Sequence, residues 1–178
     1  MTKLSPIAQK FVLHWGEMGT RWGINRTVAQ IHALLFLSQK PLPADEIAAI
    51  LAIARSNAST SLRELQNWGI VRVLHILGDR RDHFESMKDV FEMFRVIARE
   101  RKRRELDPTT LILRECITET AKAKTPDPYT HDRLVDLLSF FEVTDTAYAQ
   151  MEKLPTSALI KLARLGDKAL KLLGISRK

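Results

Sequence analysis

The chain has 178 residues, of which 45% are hydrophobic and 28% charged, and its formal net charge is +7. Its single cysteine excludes an intrachain disulfide, and no stretch approaches the roughly 20 apolar residues that span a bilayer. The start of the chain lacks a basic-then-apolar signal pattern, so a cytoplasmic protein with no membrane association is expected. Seven prolines and seven glycines leave few turns, which predicts a mostly helical chain.

In chain order, residues 6–20 read as a first helix with Phe11, Val12, Trp15 and Met18 on one stripe, interrupted by Gly19, Gly23 and Asn25. A second helix runs from about Arg26 to Leu37, and Ser38–Pro43 is a connector. Pro43 opens a short amphipathic helix over Ala44–Leu51, and Ala52-Ile53-Ala54 makes a tight turn. In the next helix, from Arg55, the apolar positions Ala58, Leu62, Leu65 and Trp68 recur at helical spacing. Arg55, Ser56, Asn57, Ser59, Thr60 and Arg63 are left to point outward. Short hydrogen-bonding side chains with two arginines suit a helix laid in a DNA major groove, where Asn and Arg read base edges and hydroxyls hold phosphates.

Gly69 ends this helix. Ile70–Leu77 reads as a strand, Gly78-Asp79-Arg80-Arg81 as a turn, and Asp82–Glu85 as a short returning strand. Two arginines at a hairpin tip cannot help a core. They suit a wing set against phosphates or in the minor groove, with Asp79 holding one guanidinium. Such a turn would place His75 opposite Phe84 and His83 opposite Ile76. From Lys88 to about Ala123 the chain reads as one long helix, bent or broken near Asp107-Pro108. A linker at 124–128, a helix over 130–152 and a last helix over Thr156–Leu173 complete it. Residues 53–104 carry 12 basic and 7 acidic side chains, whereas residues 105–155 carry 5 and 10. A polyanion-binding face and a non-binding face would produce that asymmetry.

These residues carry a resemblance. The order helix, helix, strand, Asp79-Arg80-Arg81 wing and long following helix resembles the MarR family of dimeric transcriptional regulators. The stretches Arg26–Ser38, Leu65–Val71 and Gly78–Phe84 look more closely like its GbsR-like branch, and the likeness covers about residues 10–120. It implies a mostly α fold: a winged helix-turn-helix with a two-stranded β-wing and long N- and C-terminal dimerisation helices. The expected division is an N-terminal dimerisation helix (1–25), a DNA-binding domain (26–87) and a helical dimerisation or regulatory region (88–178). The implied function is sequence-specific regulation of transcription as a repressor, the partners being double-stranded DNA and a second copy in a homodimer. Arg55, Asn57, Thr60 and Arg63 would read bases, Ser56 and Ser59 would hold the backbone, and Asp79, Arg80 and Arg81 would act from the wing. One residue departs from the pattern. Ala54 stands at the cap of the recognition helix, where relatives often carry Ser, and a lost cap costs about 1 kcal/mol. Ser56 offers a cap one turn later, which would shift the start of the helix.

Apolar stripes outside the winged core (Phe11, Val12, Trp15; Leu134, Val135, Leu138; Leu159, Leu162, Leu165) suit a dimer interface. Two-fold pairing on a palindromic operator is expected for useful specificity. Phe11, Trp15 and Trp22, with Arg26, are the candidate pocket for a small effector, since aromatic faces hold cations. Core packing is the competing reading of these aromatics. Some GbsR-like regulators are associated with choline and glycine-betaine metabolism, but the residues name no effector. The five histidines lack metal-ligand spacing, Cys116 reads as a small buried hydrophobe, and Arg99–Arg104 as a solvated helix. No catalytic constellation, metal site or cofactor is expected, so the chain does not read as an enzyme. A winged-helix protein–protein module in a larger assembly is the alternative.

Overall fold

A computed structural model describes residues 4–161 except 124 and 126. The expected helix over Thr156–Leu173, with Leu162 and Leu165, lies largely outside the described residues. The chain forms two compact units, residues 1–97 and 98–178, and the division falls within the helix Val90–Arg101.

The first unit opens with α1 (Pro6–Arg21), capped by the Ser5 hydroxyl, and α2 (Arg26–Leu37), capped by the Asn25 side chain. Gly19 does not interrupt α1, contrary to expectation. It is buried, and a Cβ there would lie 2.5 Å from the Ala29 Cβ, so the missing side chain lets the two helices close on each other. Gly23, at φ +75°, makes the turn instead. Helix α2 is the centre of the core. Its Val28, Ile31, Leu34 and Leu35 are buried with Val12 of α1.

The chain then makes β1 (Leu42–Pro43), α3 (Ala44–Leu51), α4 (Arg55–Asn67), β2 (Val71–Ile76) and β3 (Asp79–Ser86). The expected two-stranded wing, β2 and β3, is present, and β1 extends it to a sheet in the order β1-β3-β2. The added strand is two residues of the assumed connector, with Leu42 opposite Phe84 and Pro43 opposite His83. Proline is tolerated there because β1 is an edge strand. Buried Ile47, Ala58, Leu62, Leu65, Ile70, Val71 and Phe84 join α3, α4 and the sheet to the core. After the sheet, the Lys88 ammonium donates to the carbonyls of Leu35, Phe36 and Ser38 at 2.9–3.0 Å and so satisfies the C-terminal end of α2. The helix α5 (Val90–Arg101) follows, and its Met93 is buried in the first unit.

In the second unit the end of α5 passes through a π-helical stretch, Lys102–Leu106, into α6 (Asp107–Lys122), and α7 (Pro128–Lys153) packs back on α6. The break expected near Asp107-Pro108 is this stretch. Pro108 has no N–H and crowds the preceding turn, and the Asp107 N–H bonds the Lys102 carbonyl, five residues back rather than four. Ion pairs lace the unit: Lys102 with Asp107 and Asp145, Arg99 with Glu152, and Arg114 with Glu142. The basic run Arg99–Arg104 is thus met largely by acidic partners, and it remains on the surface as expected. Leu134 and Leu138 are half-buried, whereas Leu137, Phe140, Val143 and Met151 stand exposed on α7.

Candidate nucleic-acid interface

Helix α4 starts at Arg55, with Ala54 in the extended cap position and no side chain bonding its first N–H groups. The later start offered by Ser56 is therefore not taken. The tight turn before it is made by Ala52 in the left-handed region, at φ 52° and ψ 44°, the non-glycine residue with positive φ among those described. That turn sets α4 across α3. Ala58, Ser61, Leu62 and Leu65 are buried, and Arg55, Ser56, Asn57, Ser59, Thr60 and Arg63 are all exposed. At 100° per residue Ser56, Thr60 and Arg63 stack along the middle of that face, Ser59 lies beside them, and Arg55 and Asn57 flank them at the first turn. Asn67 continues the same row one turn beyond Arg63, and Gln66 lies alongside; both are exposed. Sequence reasoning left these two out, although the spacing of four from Arg63 to Asn67 was a readable signal. Among the described residues neither Arg55 nor Arg63 makes an ion pair.

The wing differs from its expected form. Its turn is Leu77-Gly78, with Ile76 opposite Asp79, so Asp79, Arg80 and Arg81 belong to the returning strand rather than the tip. Gly78 takes φ +86°, which allows the tighter turn two residues earlier. The register moves accordingly: His75 pairs with Asp82 and Leu74 with His83, instead of His75 with Phe84 and His83 with Ile76.

The two wing arginines then part company. Arg81 donates through Nε and Nη2 to the Asp79 carboxylate at 2.8–3.1 Å. Its Nη1 reaches Asp45 Oδ2 at 3.1 Å and Glu46 Oε1 at 3.3 Å. One guanidinium thus joins the wing to the first turn of α3. Its hydrogen bonds, and the Arg81 backbone N–H, hold the Asp79 carboxyl down to about 2, and Asp45 is lowered by the same side chain despite opposing desolvation. The expected Asp79 clamp is present, and it holds Arg81. Arg80 is exposed and makes no ion pair among the described residues.

The aromatics form a separate feature of the same unit. Phe11 stacks on Trp15 at 5.5 Å, and Trp22 meets Trp15 edge-on at 5.8 Å. A cavity of about 130 Å³ is lined by Phe11, Trp15, His32, Ala33, Phe36, Val90 and Met93. Trp22 and Arg26 do not line it; His32 and Met93 do, and both had gone unremarked as pocket residues. His32 is 5% exposed, with its Nε2 3.0 Å from the Met93 sulfur, and burial pushes its imidazole down to about 4. It is neutral at pH 7. Cys116 is half-buried on α6. No described helix is long and apolar enough to cross a membrane.

A three-helix core, a helix presenting a polar outer face and a β-hairpin beside it define a winged helix-turn-helix protein. Residues 22–82 match the model of the MarR family. Over that stretch the chain is similar to the MarR family. A crystal structure titled as that of a transcriptional regulator shares the fold: TM-score 0.67, 20% identity, covering 82% of this chain and 95% of that one. An S. aureus MepR mutant bound to an oligodeoxyribonucleotide aligns at 12% identity, over 78% of this chain and 92% of that one, with a TM-score of 0.39. No curated protein matches the chain.

Proposed function

We propose that this protein is a sequence-specific DNA-binding regulator of transcription, a GbsR-like repressor that binds a palindromic operator as a homodimer. The observation that carries the reading is the outer face of α4. Six exposed polar side chains, two of them arginines without ion pairs among the described residues, sit on a helix whose other side is anchored in the core. A rigid helix bearing donors at i, i+4 and i+7 spacing suits base edges in a major groove. Thr60 and Arg63 read bases from the middle of the face, and Arg55 and Asn57 do so from its first turn. Ser56 and Ser59 hold the backbone. Arg80 contacts phosphate from the wing, while Arg81 and Asp79 act by fixing the wing to α3. Exposed apolar side chains on α7 (Leu137, Phe140, Val143, Met151) and on α1 (Ile7, Leu13) support pairing with a second copy. The aromatic cavity supports control by a small ligand.

The test is selection of duplexes from a random pool, followed by titration of the selected site. A two-fold symmetric site with half-sites roughly 34 Å apart, bound by a dimer mass in light scattering, is expected. Asn57→Ala and Arg63→Ala should each flatten the preference for that site over random DNA, by about 1–3 kcal/mol per bidentate contact. Retention of no duplex at low salt would overturn the reading and favour a protein–protein module.

A further inference from the structure

The tip of the wing is apolar. Leu77 is 104% exposed, and Ile76 beside it is 43% exposed. The strand register slips between His75 and Ile76, which turns the end of the hairpin away from the regular pleat. Behind the tip the acidic groups of the wing all have cationic or imidazole neighbours. Arg72 bonds Glu85 at 2.7 Å, Arg81 bonds Asp79, and His75 Nδ1 lies 3.6 Å from Asp82. Arg80 is left as the surplus cation on this strand, three residues from Leu77. A fully exposed leucine gains nothing from phosphates. Its gain must come from an apolar surface, and the stacked faces of bases, reached from the narrow groove, are one.

We propose that Leu77 is a wedge for duplex DNA: it enters a base step from the minor groove, partly unstacks it and bends the duplex, while Arg80 holds an adjacent phosphate. This rests on the DNA-binding reading above and adds how the wing deforms its site. Unstacking is least costly at flexible pyrimidine–purine steps, so the operator should carry TA or CA/TG where the wing meets the groove. Specificity would then arise at a position that no hydrogen bond reads.

The experiment uses the full chain and the selected operator labelled at both ends for energy transfer, with affinity followed by anisotropy across a salt series. Wild type should bend the duplex by roughly 20–90°. Leu77→Ala should reduce the bend and lose on the order of tenfold in affinity, with the slope of log affinity against log salt unchanged, because no phosphate contact is lost. Replacing the flexible step by a stiff A-tract step should penalise wild type and leave Leu77→Ala nearly unaffected. Thermal melting should match wild type, since Leu77 lies outside the core. A straight wild-type complex, or a Leu77→Ala variant equal to wild type in bend and affinity, overturns the wedge. If Arg63→Ala still abolishes site preference in that case, the DNA reading stands and the apolar tip belongs to a protein contact. Failure of wild type to bind any duplex overturns both.

Discussion

Replacing His32 with leucine should make the fold insensitive to mild acid, and the size of the effect follows from its surroundings. The imidazole is 5% exposed, and burial pushes it from 6.5 down to about 4. The folded-state value is lowered, so the unfolded chain takes up a proton below about 6.5 whereas the folded chain does not until about 4. Stability from this group is therefore complete above pH 6.5. It falls by about 1.4 kcal/mol per pH unit beneath that, and about 3 kcal/mol is gone below pH 4. The lowered carboxylates Asp45, Asp79 and Asp127 titrate below this window, so they do not share it. Urea midpoints at pH 7.5, 5.5 and 4.5 measure the effect. His32→Leu exchanges side chains of similar volume and should cost under about 1.5 kcal/mol at pH 7.5. It should then lose little more on acidification, while wild type weakens. Equal losses in both proteins, or an NMR titration of His32 near 6.5, would contradict an imidazole held neutral by burial.

The two wing arginines should respond differently to substitution. Arg80→Ala should reduce the slope of log affinity against log salt by about 0.9, the value of one phosphate contact. Arg81→Ala should leave that slope nearly unchanged and instead speed amide hydrogen exchange over Asp79–His83, because it releases the wing from Asp45 and Glu46. At the turn before α4, Ala52→Gly should raise stability by about 1 kcal/mol in urea unfolding, since Ala52 occupies the left-handed region that glycine enters without a Cβ clash.

Local rules went far in this chain. Apolar spacing over Val28–Leu35 and Ala58–Leu65 declared α2 and α4, and Pro43 marked the start of α3, where it stands in extended conformation at the cap, just before the first helical residue. The outward set on α4 was readable for the same reason: burying Ala58, Leu62 and Leu65 leaves the other side of a 3.6-residue repeat in solvent. Pro108 announced a break because it removes a donor whatever surrounds it. What failed were choices between alternatives that neighbouring residues leave nearly equal. Gly19 could break a helix or admit a close neighbour, and only the approach of Ala29 decides. The hairpin could turn at Asp79-Arg80 or at Leu77-Gly78, and the pairing of β3 with both β1 and β2 selects the second. The remaining features join residues far apart in the chain. Arg81 meets Asp45 across 36 positions, and His32 meets Met93 across 61. No periodicity encodes such pairs, because they exist only once the helices have packed. Apolar spacing alone assigned the buried and outer faces; folding chose which of two exposed wing arginines is held in ion pairs, because it brings Asp45 and Glu46 of α3 within reach of Arg81 and not of Arg80.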